Sequence, residues 1–116
     1  MAQSASQFEI WLADLNPRFG TEPGKVRPVV VVQTDLLNSV HPSTIICPIT
    51  TKIRNDVEVL RVHLTKSNSG LQKPSDILID QIRAIDNRRF VKRIGSLKDK
   101  ASEMLKKRLK IIMDLE

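Results

Sequence analysis

The sequence predicts a mainly β domain whose sheet is closed by a C-terminal α-helix. Three observations carry that expectation. Short runs rich in Val, Ile and Thr recur along the chain, separated by stretches holding Pro, Gly and Asn. From Leu97 onward the apolar spacing changes from two to three and four, the period of a helix. The chain has 116 residues, the size of one domain with one core. Five to seven short strands followed by one helix make a small β-barrel closed or plugged by that helix.

Met1 to Gln7 are small and polar and are expected to form a disordered tail (1–7), with 8–116 as a single domain. Phe8 to Asp14 alternates as a strand with one buried face. Asn16 to Lys25, rich in Pro and Gly, reads as a long loop rather than a tight hairpin turn. Pro28-Val29-Val30-Val31-Val32-Gln33 is an apolar, β-branched run, the mark of a strand buried on both faces. Asp35 to Ser39 suggests a short helix capped by Asp35 or Thr34. Thr44 to Thr50 is another strand, and Pro48, which cannot donate to a ladder, places that end at an edge, a bulge or the strand's finish. Leu60 to Leu64 alternates, Lys66 to Pro74 is turn material, and Ile77 to Ile85 resumes extended structure. Phe90 to Gly95 is a last strand. Leu97, Ala101, Met104, Leu105, Leu109, Ile112 and Leu115 then form one helical stripe, with Asp99 near its start and Lys106, Lys107 and Lys110 toward its end, as the helix dipole favours.

Nineteen Lys and Arg against thirteen Asp and Glu give a net charge of +6, and the pI is near 9.8. That balance suits a polyanion, nucleic acid before membrane. Trp11, Phe8, Phe19 and Phe90 are the only aromatic residues, too few for a stacking platform of the RNA-recognition-motif type. No apolar run reaches the length of a membrane span and no start resembles a secretion signal, so a cytoplasmic protein is expected. The single Cys47 excludes an internal disulfide and gives no metal cluster. Within an apolar strand it reads as a small core residue. His41 and His63 read as surface or half-buried residues.

Two segments stand out chemically. Gly24-Lys25-Val26-Arg27-Pro28 ends the long loop where a buried strand begins. Arg27 before a proline has a restricted backbone, a good device for aiming a guanidinium at phosphate. Its alternative use is an ion pair with a carboxylate such as Glu22. Pro48-Ile49-Thr50-Thr51-Lys52 releases hydroxyls at the end of a rigid strand, and ordinary β-propensity with a cap accounts for the same pattern.

Taken together, Ile10-Trp11-Leu12-Ala13-Asp14-Leu15-Asn16-Pro17, Gly20-Thr21-Glu22, Arg27-Pro28-Val29-Val30-Val31, Pro48-Ile49-Thr50-Thr51, Asp80 to Asp86 and Ile94-Gly95-Ser96-Leu97 before a helix resemble the MazF/PemK ribonuclease toxins of type II toxin–antitoxin systems. The likeness runs from about Phe8 to Leu115, in the family's order. It implies an SH3-like (CcdB/PemK-like) β-barrel, a homodimer, and metal-independent, cofactor-free, sequence-specific cleavage of single-stranded RNA. It puts the essential arginine on Arg27 and the essential hydroxyl on Thr50, with Glu22 and Gln81 near the RNA. Pro23 stands where relatives often carry Gln, so base preference does not carry over.

By the family's route the RNA 2′-hydroxyl attacks the adjacent phosphorus and leaves a 2′,3′-cyclic phosphate and a 5′-hydroxyl. Arg27 and Thr50 would stabilise the phosphoryl oxygens. Glu22 and Arg27 itself are both open as proton acceptor. Arg18, Phe19, Lys25, Thr51, Lys52 and Arg54 flank the site in sequence and are expected to track the RNA. Arg88 to Lys110 holds ten basic and two acidic residues, a surface suited to an antitoxin's acidic disordered segment. A CcdB-type gyrase poison on a related barrel is the rival reading, and the chain's end, Ile112-Met113-Asp114-Leu115-Glu116, lacks the Trp typical of that class.

Overall fold

The computed structural model describes residues 4–116. Seven strands form one antiparallel sheet: β1 (Glu9–Asp14), β2 (Val26–Val31), β3 (Ser43–Thr50), β4 (Arg61–Leu64), β5 (Ser75–Leu78), β6 (Arg83–Asp86) and β7 (Phe90–Ser96). Their order is β4-β5-β3-β2-β1-β7, with β6 also paired to β3. A one-turn helix, α1 (Lys66–Ser69), sits between β4 and β5, and α2 (Asp99–Ile112) follows β7. No helix among the described residues is long and apolar enough to cross a membrane.

β2 is covered on both faces, as its unbroken Val run implied: Val29, Val30 and Val31 are all fully buried. Successive residues of a strand point to opposite faces, so the strands feed two apolar clusters. Ile10, Val30, Cys47, Ile49 and Ile77 pack toward Leu97, Ala101 and Leu105 on the α2 side. Trp11, Val29, Val31, Ile46 and Phe90 pack on the other side, with the Trp11 and Phe90 rings 5.4 Å apart edge to face. Within the expected helical stripe, Ala101 and Leu105 are buried, Met104 is exposed, and Leu115 lies beyond the helix end in solvent.

Strand β3 is the hub. It pairs with β2 from Ile46 to Pro48. On its other flank it pairs with β6 from Ser43 to Ile46, then with β5 at Ile49 and Thr50. Pro48, with no N–H to give a ladder, lies in the gap where the partner changes.

Four expectations are corrected. Residues 1–3 of the expected disordered tail lie outside the described residues; in the rest of it Ser4 and Ser6 are exposed, but Ala5 and Gln7 are held against the domain. Ala5 is buried beside Trp11, the Gln7 backbone N–H donates to Asp35 Oδ1 at 2.8 Å, and Gln7 Nε2 donates to the Val32 carbonyl. Asp35 to Ser39 forms turns rather than a helix. There Asn38 Nδ2 donates to the Gln33 carbonyl and to Asp35 Oδ1, and such side-chain bonds compete with helical ones. Lys66 to Pro74 contains α1, held by Asn68 Oδ1 accepting from the Thr65 N–H and ended by Gly70 at φ 81°. The extended run from Ile77 breaks into a 3-10 turn over Ile79–Gln81 before β6 begins.

Candidate active site

Arg27 is held from both sides of its own backbone. The β1–β2 ladder sets it opposite Ala13, and the loop before it is pinned where Asn16 Oδ1 accepts from the Lys25 N–H at 2.8 Å. Lys25 itself has a φ of 65°, a left-handed conformation rare outside glycine and often found near functional sites. Arg27 Nε donates to the Gly24 carbonyl at 2.8 Å, which leaves both Nη groups for a ligand. A side chain at position 24 would not fit: a Cβ there would stand 2.7 Å from the Arg18 Cβ. Partial burial, and then the positive charge of Arg18, draw the Arg27 pKa below its usual value. A guanidinium still keeps its charge at neutral pH. Among the described residues no ion pair joins Arg27 to Glu22, so that alternative use of the arginine is not seen.

Thr50 ends β3. Its Oγ1 accepts from the Lys52 backbone N–H at 3.1 Å, an arrangement that leaves the hydroxyl hydrogen free to be donated. The β2–β3 pairing ends with Val29 opposite Pro48. The ladder stops there, and only its extension by two residues would bring Arg27 level with Thr50.

A cavity of about 270 Å³ opens at Thr50. Thr50 and Lys52 line it from the end of β3, Gln81 and Asp80 from the 3-10 turn, and Thr21 from the long loop. Arg54, Arg61 and Leu78 complete it. The structure therefore brings together Thr50, Lys52 and Gln81 of the expected set. Arg27, Arg18, Phe19, Glu22, Lys25 and Thr51 lie outside this lining. Of these, Phe19 is exposed on the loop, Glu22 is half-buried, and Thr51 and Lys25 face solvent.

Sequence reasoning passed over Asp76 and Arg61. Asp76 is 1% exposed and is the cross-strand partner of Thr50. Its Oδ2 accepts from Arg61 Nη1 and from the Arg54 backbone N–H, both at 3.1 Å. Its Oδ1 lies 3.1 Å from His63 Nδ1. Arg61 Nη1 also donates to the Lys52 carbonyl at 3.0 Å. One carboxylate thus ties the segment after Thr50 to β4. The signal was present as an acidic residue inside an apolar strand, a placement that calls for partners.

Residues 6–113 match the family described as PemK-like, MazF-like toxin of type II toxin–antitoxin system. The chain belongs to that toxin family. Endoribonuclease EndoA of Bacillus subtilis (strain 168) is 35% identical over 107 residues, 92% of this chain and 92% of its own. Among solved structures, MazF from Deinococcus radiodurans superposes with a TM-score of 0.84 at 19% identity, covering 97% of this chain and 99% of its own. A MazE–MazF structure from the same organism gives 0.77 at 19% identity, with 97% of each chain covered. The PemK/MazF toxin fold accounts for the seven strands and C-terminal helix described above.

Proposed function

We propose that this PemK/MazF-type toxin cleaves single-stranded RNA, with no metal, at a site built on Arg27 and Thr50. The endoribonuclease activity is that of its family, and the relative 35% identical over almost the whole chain is an endoribonuclease. The single observation that supports the residue assignment is the β2–β3 register, which extended past Val29 and Pro48 would bring the Gly24-tethered Arg27 level with Thr50.

The reaction follows from these groups. The RNA 2′-oxygen attacks the adjacent phosphorus, the P–O5′ bond breaks, the 2′-hydroxyl proton is removed and the 5′-oxygen takes one up. Negative charge builds on the non-bridging phosphoryl oxygens. The two Nη groups of Arg27 form a planar fork for those oxygens, and Thr50 donates a further hydrogen bond that fixes their orientation. Both are anchored before substrate arrives, so little reorganisation is needed in the transition state. Lys52, lining the cavity at Thr50, neutralises a neighbouring phosphate and makes binding salt-sensitive, whereas Arg54 and Arg61 there are already paired with Asp56 and Asp76. Gln81 reads a base edge in the same cavity. DNA lacks the attacking hydroxyl and is spared.

In this reading the toxin works in the cytoplasm as a homodimer. Its antitoxin partner covers the RNA site with an acidic segment that orders on the basic surface from Arg88 to Lys110. The family's toxin–antitoxin organisation and the solved MazE–MazF complex support that pairing.

The test is incubation of purified, antitoxin-free protein with long single-stranded RNA in EDTA, beside folded Arg27→Ala. Discrete cuts by the wild type alone, ending in 2′,3′-cyclic phosphate, are expected. Full activity in Arg27→Ala, or no cuts from folded wild type, overturns the reading.

A further inference from the structure

A second cavity, of about 350 Å³, lies between the 3-10 turn before β4, the strand itself and α2. Arg54 and Arg61 line both this cavity and the one at Thr50. The two hollows therefore share a wall made of two guanidinium-bearing side chains, Arg54 paired with Asp56 and Arg61 with Asp76.

The second hollow has the makings of a nucleotide site. Its volume lies within the range of small-molecule pockets. Lys100 and Arg108 add positive charge from α2 against the one exposed carboxylate in the lining, Glu58, and Val62 and Met104 supply an apolar flank. Asn55 and Asn68 offer amide groups that can pair with the edge of a base.

It is also built rather than incidental. Asp76, almost wholly buried, holds two of its lining side chains from beneath: Arg61 through Nη1 and His63 through Nδ1, each at 3.1 Å. That leaves His63 Nε2 outward on a half-exposed ring, and Arg61 with further N–H groups beyond Nη1. Arg108 is fixed in turn by donating to the Arg61 carbonyl at 2.8 Å. Flat imidazole and guanidinium groups held in place beside an apolar flank suit a base better than they suit a peptide carboxylate, which needs charge alone.

We propose that this second cavity is a subsite for one nucleotide of the RNA flanking the scissile phosphate, and that it reads the identity of that base. The inference rests on the ribonuclease reading above and deepens it.

The experiment uses the full chain and a set of oligoribonucleotides extended one nucleotide at a time, 5′ and 3′, from the mapped cut. In the wild type, adding the nucleotide that reaches the cavity is expected to raise kcat/KM roughly tenfold, with dependence on its base, since one stacked base contributes on that order. Two variants alter the hollow from α2. Lys100→Glu reverses a charge and Met104→Trp fills space, and both positions are exposed, so the fold tolerates them. In each the ratio of kcat/KM with and without that nucleotide should fall to about one, while Lys110→Glu, an equal charge change outside the cavity, keeps the wild-type ratio. An unchanged ratio in both cavity variants overturns the proposal, even if overall activity drops. So does a shift confined to the affinity for an acidic antitoxin peptide, which would assign the hollow to the protein partner. A wild type that cuts no RNA overturns the ribonuclease reading and this inference together.

Discussion

Thr50 is paired across the β3–β5 ladder with Asp76, so the hydroxyl assigned to catalysis and the most heavily engaged buried carboxylate of the site stand on adjacent strands. The carboxylate holds the Arg54 backbone and the Arg61 side chain, and both of those residues line the cavity at Thr50.

Asp76→Ala is therefore expected to destabilise the fold by roughly 3–5 kcal/mol, the usual cost of removing one partner of a buried ion pair. The loss has a definite source, because Arg61 is left 14% exposed without its carboxylate. Urea denaturation followed by Trp11 fluorescence measures it. A change within experimental error would show that the pairing contributes nothing to stability.

For Thr50 the prediction separates chemistry from packing. Thr50→Val keeps the shape but removes the donor, and kcat should fall about 100- to 1000-fold. Thr50→Ser keeps the hydroxyl and should retain most activity. Single-turnover cleavage of a defined oligonucleotide distinguishes the two. Equal rates in Val and wild type would remove Thr50 from the mechanism.

Glu9 gives the acid limb of stability a specific origin. Partial burial works to raise its pKa, but donation from the Ser6 backbone, from Trp11 Nε1 and from Arg93 Nε outweighs burial and holds it below the usual 4.5. A carboxylate lowered in the folded state stabilises above its unfolded pKa, and that contribution disappears as pH falls through the folded value. Glu9→Gln should accordingly lower the urea midpoint at pH 7 and flatten its decline below about pH 4.5, the pH at which an unfolded glutamate starts to take up protons. Parallel midpoint curves for the two proteins would contradict this.

Cys47 predicts a chemical probe of opening. Burial, and then the charge of Asp80, push its thiol up to about 12 from 9.0. That shift alone leaves roughly 1000-fold less thiolate at a given pH below both values. A disulfide reagent at pH 8 should label the native protein slowly and the urea-unfolded chain at once. Rapid native labelling would mean the β3 core opens readily.

The sequence was most informative where local pattern and burial agree. The Val29-Val30-Val31 run announced a strand covered on both faces, and the change of period at Leu97 announced α2. Arg27 and Thr50 stood out in the sequence because each lies near a strand end beside proline-marked punctuation, and the strand ends are where the structure puts them. What stayed hidden depended on pairing between distant segments. Nothing near Asp76 in sequence reveals that β3 and β4 flank β5, and those two pairings alone give Asp76 its three partners. The turn at Ile79–Gln81 was masked by β-branched and apolar residues that read as one continuous strand. That break delivers Gln81 and Asp80 to the cavity. The Asp35–Ser39 helix failed because Asn38 and Asp35 side chains satisfy groups that a helix would have used.

The change of partner along β3 has a consequence for the order in which the cavity is assembled. The wall of the Thr50 cavity that comes from Leu78, Asp80 and Gln81 is made after every other lining residue. A growing chain that has exposed Arg27 and Thr50 but not yet residue 81 lacks the enclosed cavity at Thr50. The hollow at Thr50 is thus a late product of synthesis, enclosed only once β5 and the turn that follows have docked beside β3.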